Sequence, residues 1–170
     1  MTAAALPQRR TDPVLPRLVE RFGSAIVSSH AQHGDETAIV ARESLHDVMA
    51  FLRDDADLAF DMPTDVTVVD HLPRKPRFEV VYHLTSSRDL RRIRVKVELS
   101  EADPHVASVK DLWPGMDWHE REAFDMYGIV FDGHGDLRRI LLYPEFQGHP
   151  LRKDYPKTRR QPRLGIDDPG

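Results

Sequence analysis

The chain of 170 residues contains no cysteine. That absence excludes a disulfide framework, an iron–sulfur cluster held by thiolates and a cysteine nucleophile. No apolar run approaches the length that crosses a bilayer, and the N-terminus lacks the apolar core of a secretory signal. The expected compartment is therefore a bacterial cytoplasm. Charge excess is missing too: charged residues make up 31%, yet the formal net charge is only −4. Such a balance gives no global attraction for nucleic acid or an anionic membrane. There is no G-x-S-x-G elbow and no GxxxxGK[ST] phosphate loop, and the glycines near Gly133 and Gly135 do not form one. His119-Glu120 begins like a zincin helix, but Ala123 stands where the second histidine is needed for one helix face to grip zinc. His119 and Glu122 could still pair with His134 or His149. Histidines in such positions are mostly hydrogen-bonded structural groups, so no catalytic residue and no metal ligand is assigned.

What remains is the composition of a globular protein, 40% hydrophobic, with a length that suits one domain and a moderate core. Residues 1–12 read as a flexible N-terminus and 13–143 as a domain. Asp12-Pro13 opens a first helix with Leu15, Leu18, Val19 and Phe22 on one face, and Gly23 closes it. Two short strands, 25–29 and 37–42, flank the polar turn His30–Glu36. Ser44 caps a second helix whose stripe is Leu45, Val48, Met49 and Leu52. After an acidic connection come strands 66–72, 78–85 and 91–99, joined by turns short enough for antiparallel hairpins. In the last of them Ile93, Val95, Val97 and Leu99 alternate with Arg92, Arg94, Lys96 and Glu98. The expected architecture is α+β, with helices packed on one side of a largely antiparallel sheet and a long extended C-terminal tail. The apolar run Ile140-Leu141-Leu142 reads as a last strand or a buried anchor.

The stretch from Trp113 to Tyr155 is the most unusual. Asp117 and Glu120 have capping-box spacing, and Gly128 offers a left-handed stop, which predicts a helix over 117–127. Glu120 falls among Met116, Ala123, Phe124 and Tyr127, while Trp118 lies on the other side with Glu122 and Asp125. Buried acids need partners. Arg121, Arg138 and Arg139 are the nearest cations in sequence, and Glu120 is expected to pair with Arg138 or Arg139. Beyond Pro144 prolines recur and no period survives, so 144–170 reads as an extended strap without a core of its own. From Gly148 to Arg163 it holds six Lys/Arg against one acid, Asp154. Its mixture of charges with Phe146, Leu151 and Tyr155 suits a protein groove better than a phosphate backbone, so the anchors are expected on a partner and not on the strap's own domain.

Glu120-Arg121-Glu122, Asp125-Met126-Tyr127-Gly128, Phe131, His134 and Leu137-Arg138-Arg139-Ile140-Leu141 resemble the signature of the C-type subunit of respiratory complex I, the 30 kDa subunit family of proton-pumping NADH:quinone oxidoreductase. The run His149-Pro150-Leu151-Arg152-Lys153-Asp154-Tyr155-Pro156 resembles that family's second stretch. Two positions depart from the pattern. Gly135 replaces a proline, and Phe146-Gln147 stands where a Trp-acid pair is common.

The resemblance implies a component of an oxidoreductase and translocase that has no active site of its own. It implies that this chain binds no cofactor, with FMN and iron–sulfur clusters carried by other components. It implies a hetero-oligomer in the peripheral arm, against the large quinone-site component (D-type) and near the cluster-bearing components (B-type and I-type). Its place is the cytoplasmic side of the bacterial inner membrane, which it meets only through the complex. Glu120, Arg121, Glu122, Asp125, His134, Arg138, Arg139, His149, Arg152, Lys153, Asp154 and Tyr155 are then structural or partner-contact residues. Three alternatives stay open: the equivalent component of an energy-converting membrane hydrogenase, a metal-dependent hydrolase, and a nucleic-acid module.

Overall fold

In a computed structural model, residues 13–162 are described. The N-terminal segment with its Asp12 cap and residues 163–170 lie outside them. The order of elements is α1 (Leu15–Phe22), β1 (Ile26–Gln32), β2 (Asp35–Val40), α2 (Leu45–Asp54), β3 (Met62–Asp70), β4 (Phe78–Thr85), β5 (Arg92–Leu99), β6 (His105–Ala107), α3 (Met116–Tyr127) and β7 (Val130–Asp132). Five strands form one sheet in the order β1-β2-β5-β4-β3. Every pair in it is antiparallel except β2 with β5. The architecture is α+β, as the patterning implies.

The alternation in β5 decides which face is covered. Ile93, Val95, Val97 and Leu99 are buried, and so are their cross-strand partners Leu84, Tyr82, Val80 and Phe78 on β4. On this face lie Leu15 and Leu18 of α1, the α2 stripe of Leu45, Val48, Met49 and Leu52, and Met116 and Ala123 of α3. Each Val, Leu, Ile, Phe or Met side chain among them contributes roughly 1.5–3 kcal/mol by leaving water. The opposite face carries the polar set, with Lys96 Nζ 2.8 Å from Glu79 across the ladder.

Four local expectations change. The β1–β2 turn is only His33-Gly34, with φ of 53° and 82°; this pair of left-handed residues lets a two-residue loop follow the strand twist, so both strands run longer. β3 begins at Met62 and not at 66, passing through Pro63, which the outermost strand of a sheet tolerates. The parallel pair β6–β7 was not foreseen, being three residues in each strand and too short to show a period. Residues 140–142 are neither strand nor buried anchor: Leu141 is 62% exposed, and the segment is held through its backbone.

Candidate functional site

The α3 helix and what returns to it form the site. The helix starts at Met116 with Gly115 at its cap, and no side chain caps it. The capping box is therefore absent. Asp117 instead meets Lys110 Nζ at 2.8 Å, which holds its carboxyl below the usual range. Glu120 is fully buried, as its apolar neighbours imply, but its partner is no arginine. Ser108 Oγ donates to it at 2.6 Å and the Val109 N–H at 2.7 Å. Its expected partners are engaged elsewhere: Arg138 holds Asp136 at 3.1 Å and Arg139 holds Asp125 at 2.7 Å. The reason is the face of the helix. Arg121 and Asp125, four residues apart on one face, hold the returning chain, while Glu120 points to another face, toward Ser108 and Val109 of the connection that precedes the helix.

Asp125 is the anchor of the return. Its Oδ2 accepts the N–H groups of Ile140, Leu141 and Leu142 at 3.0, 2.9 and 2.9 Å, and Arg139 Nη1 donates to its Oδ1. Burial works to raise this carboxyl, but those donors outweigh it and the net shift is downward. One turn earlier, Arg121 donates from Nε to the Arg138 carbonyl and from Nη2 to the Arg139 carbonyl, both at 3.2 Å. An acid and a base four residues apart thus grip the N–H and the C=O groups of the same segment. Arg121 also lies 5.4 Å from the Trp118 ring, which is 62% exposed.

The C-terminal end of α3 leaves its last four carbonyls to be satisfied. Gly128 takes φ 72° and its N–H returns to the Phe124 carbonyl at 2.7 Å. His149 Nδ1 donates to Asp125 O at 3.0 Å, the Leu151 N–H to Met126 O at 3.2 Å, and Arg152 Nε to Tyr127 O at 2.5 Å. Every orphan carbonyl is taken, three of them by the tail. A cation at that end also complements the helix dipole. Burial lowers both His149 and Arg152. A Cβ on Gly128 would sit 2.6 Å from His149 Nε2 and 2.7 Å from Arg152 Nη2, so the tail lies where only glycine fits.

Two residues on, the tail reaches the sheet. Arg77, almost wholly buried, donates to Asp70 at 2.8 Å, Asp154 at 2.7 Å and Glu101 at 2.5 Å. The Lys153 N–H donates to Asp70 at 2.8 Å. Burial works against the Asp70 charge, but hydrogen bonds from Arg77, Lys153 and Leu72 hold its carboxyl far below the usual range. Phe146 and Tyr155 stack at 6.1 Å, with Tyr143 edge-on to Phe146 at 5.6 Å. Gln161 bonds the Tyr155 hydroxyl. As the strap reading expects, no helix or strand forms over 143–162; what it did not expect is that the segment bonds to its own domain. Over 143–162 the tail folds back on its own domain and carries a small aromatic cluster, although Leu151 stays half exposed.

Of the residues singled out in sequence, Arg121, Asp125, Arg139, His149, Arg152, Lys153 and Asp154 join one clasp. Tyr155 stands beside it in the aromatic cluster. His134 lies on the other side of α3, its Nε2 3.3 Å from Asp117 O. Glu122 and Arg138 point to solvent. His119 lies 3.4 Å from Asp65, so it, His134 and His149 are engaged separately. Sequence reasoning missed Arg77, Asp70 and Ser108: Arg77 meets Asp154 across 77 positions, and Ser108, only 12 positions from Glu120, carries no charge to mark it as a partner. Gly135 has φ 82°, which a proline cannot adopt, so the departure from the family pattern comes with a different turn.

Comparison with known proteins places this geometry. Residues 38–161 match the family model described as the 30 kDa subunit of respiratory-chain NADH dehydrogenase. The chain is 49% identical over 143 residues to the C-type subunit of NADH-quinone oxidoreductase from Roseiflexus castenholzii, covering 84% of this chain and 82% of that protein. Over 139 residues it is 50% identical to the Sinorhizobium medicae counterpart, covering 82% and 69%. Against the Citrifermentans bemidjiense counterpart it is 49% identical over 140 residues, covering 82% and 86%. Among solved structures it resembles the trypsin-resistant fragment of Nqo5, with TM-score 0.62 and 33% identity over 72% of this chain and 98% of that one. A chain of an archaeal membrane-bound sulfane sulfur reductase complex shares the fold at TM-score 0.71 and 22% identity, covering 85% of each chain.

Proposed function

Because the chain belongs to the 30 kDa subunit family of respiratory-chain NADH dehydrogenase, we propose that it is a non-catalytic structural component in the peripheral arm of NADH-quinone oxidoreductase. It supports electron transfer from NADH to quinone by assembly with the large quinone-site component, and stands near the cluster-bearing components on the cytoplasmic side of the membrane. It binds no flavin, cluster or quinone itself. None of the helices of the described residues is long and apolar enough to cross a membrane, so it is held there through the complex.

The observation that supports this reading is how the family's charged residues are spent. Arg121, Asp125, Arg139, His149 and Arg152 are all used on backbone groups or on one another. They build a shape; they do not converge on a substrate. Around that shape, Trp118, Leu141 and Leu151 are exposed, and so are Lys153, Lys157 and Arg160. Exposed apolar side chains together with exposed cations suit a partner surface that offers apolar pockets and acidic edges.

The test is purification of the tagged chain from membranes in mild detergent. Other NADH-quinone oxidoreductase subunits are expected with it. Replacing Trp118, Leu141 and Leu151 together by Ser should leave the isolated fold intact while these partners are lost. Recovery of the wild-type chain alone, or with the subunits of a membrane hydrogenase, would overturn the proposal.

A further inference from the structure

Glu120 plays no part in the clasp, and its surroundings are odd for a carboxylate. It is fully buried, with Ser108 Oγ and the Val109 N–H as its only bonded donors among the described residues. The groups that face it come from four directions. From the connection before α3, Lys110 is committed to Asp117 at 2.8 Å. From α3 itself, Asp117 adds a like charge one turn away. From the turn after β7, His134 Nε2 stands 3.9 Å from Glu120 Oε2, beyond a hydrogen bond. From β4, Tyr82 is fully buried, and its hydroxyl lacks a partner among the described residues.

His134 is not bonded to Glu120. Its Nδ1 accepts the Asp136 N–H at 3.3 Å, and its Nε2 faces the Asp117 backbone oxygen at 3.3 Å and Asp117 Oδ1 at 3.5 Å. Glu120 is thus a carboxyl sealed from water with no cation bonded to it, the situation in which a buried acid takes a proton and does not stay charged.

We propose that Glu120 is a proton-binding site of the folded chain, taking up one proton on Oε2 and sharing it with Ser108 Oγ. The proton comes from solvent and no other bond breaks. The 2.6 Å contact persists in both states with its donor reversed: the serine hydroxyl donates to the carboxylate, and the carboxylic acid donates to the serine oxygen. Burial supports this by pushing the carboxyl up to about 7, against the lowering effect of Ser108 and Val109. The consequence is a pH-sensitive lock. A carboxyl raised in the folded state favours folding below its unfolded value of about 4.3, and that advantage is lost as pH rises toward its folded value. The packing of residues 108–110 on α3 is therefore tighter at mildly acidic than at alkaline pH.

The test is a carbon-detected NMR titration of the full chain labelled at glutamate side-chain carbons, with Glu120→Gln to identify the resonance. One glutamate is expected to titrate near 7, and to be missing from the variant. Ser108→Ala, which removes the donor that favours the charged form, should move that midpoint higher. It also keeps the experiment decisive if Glu120→Gln does not fold. Titration of Glu120 with the ordinary carboxylates below 5 would overturn the proposal. So would a neutral-range step that belongs to the His134 ring, or a midpoint that does not rise in Ser108→Ala.

Discussion

Asp125→Asn keeps the shape of a buried side chain and tests the clasp directly. The wild-type carboxylate accepts from the N–H groups of Ile140, Leu141 and Leu142 on one oxygen and from Arg139 on the other. An asparagine has one oxygen and one NH2. Whichever way it turns, its NH2 meets donors, either the three backbone N–H groups or the guanidinium. The better orientation keeps the oxygen on the backbone and opposes Arg139. Removing one partner of a buried pair costs roughly 3–5 kcal/mol. Arg139 is 20% exposed and keeps the Gly148 carbonyl, so the lower end of that range applies, about 3 kcal/mol. For a domain of this size that is a large part of the total stability.

The assay is urea unfolding of the full chain at neutral pH, with the midpoint converted through an unchanged slope. A pH series adds an independent check. Donors hold the Asp125 carboxyl below its ordinary value, so its contribution is present above the unfolded value of about 3.9 and fades as pH falls below that. The gap between wild type and Asp125→Asn should therefore narrow in acid. A loss smaller than about 1 kcal/mol, the size of one neutral hydrogen bond, would refute the argument that this acid organises the return of the chain.

Gly128→Ala forces a side chain into φ 72° and into contact with His149 and Arg152; it should cost about 2 kcal/mol or more in urea unfolding and speed trypsin cleavage after Arg152. Arg77→Met leaves the buried Asp70 charge uncompensated and should cost roughly 3–5 kcal/mol, whereas Asp154→Ala, whose side chain is 48% exposed, should cost under about 1 kcal/mol. Equal losses in the two variants would show that Arg77 is not the centre of that network. In the wild-type chain trypsin should cut first after Lys157 and Arg160, which are exposed, and more slowly after Arg152, whose backbone and side chain are both engaged. Mass spectrometry of the first fragments reads that order.

Much of the domain was legible because burial writes periodicity into a sequence. The β5 alternation and the α2 stripe lie where their residues imply. Glu120 was legible as a buried acid for the same reason, since its apolar neighbours share its face. Its partner was not. Spacing can point to a side chain of opposite charge, but here the donors are a serine and a backbone N–H, and neither leaves a charge pattern to read. The same blindness applies to the capping box, whose two residues are present but turned to other partners, and to Arg77, which meets Asp154 across 77 positions of chain.

The tail shows where proline counting misleads. Prolines and the loss of period do indicate a segment that cannot make its own ladder. They do not indicate where its backbone groups go. In this chain a neighbouring helix end has the complementary need. Its last carbonyls require donors, and 149–152 supplies a ring N–H, a backbone N–H and a guanidinium at matching positions. Two incomplete hydrogen-bonding inventories complete each other, which is why an irregular segment can be fixed without a core of any size. On the proposed structural role, the same arrangement lets the tail dock on a partner without being loose. Its polar groups are consumed inward on α3 and Arg77, so Leu151 and the exposed cations are left facing outward on a rigid frame. A partner that docks there meets a surface already ordered, and the entropy of ordering it has been spent during folding and not at binding.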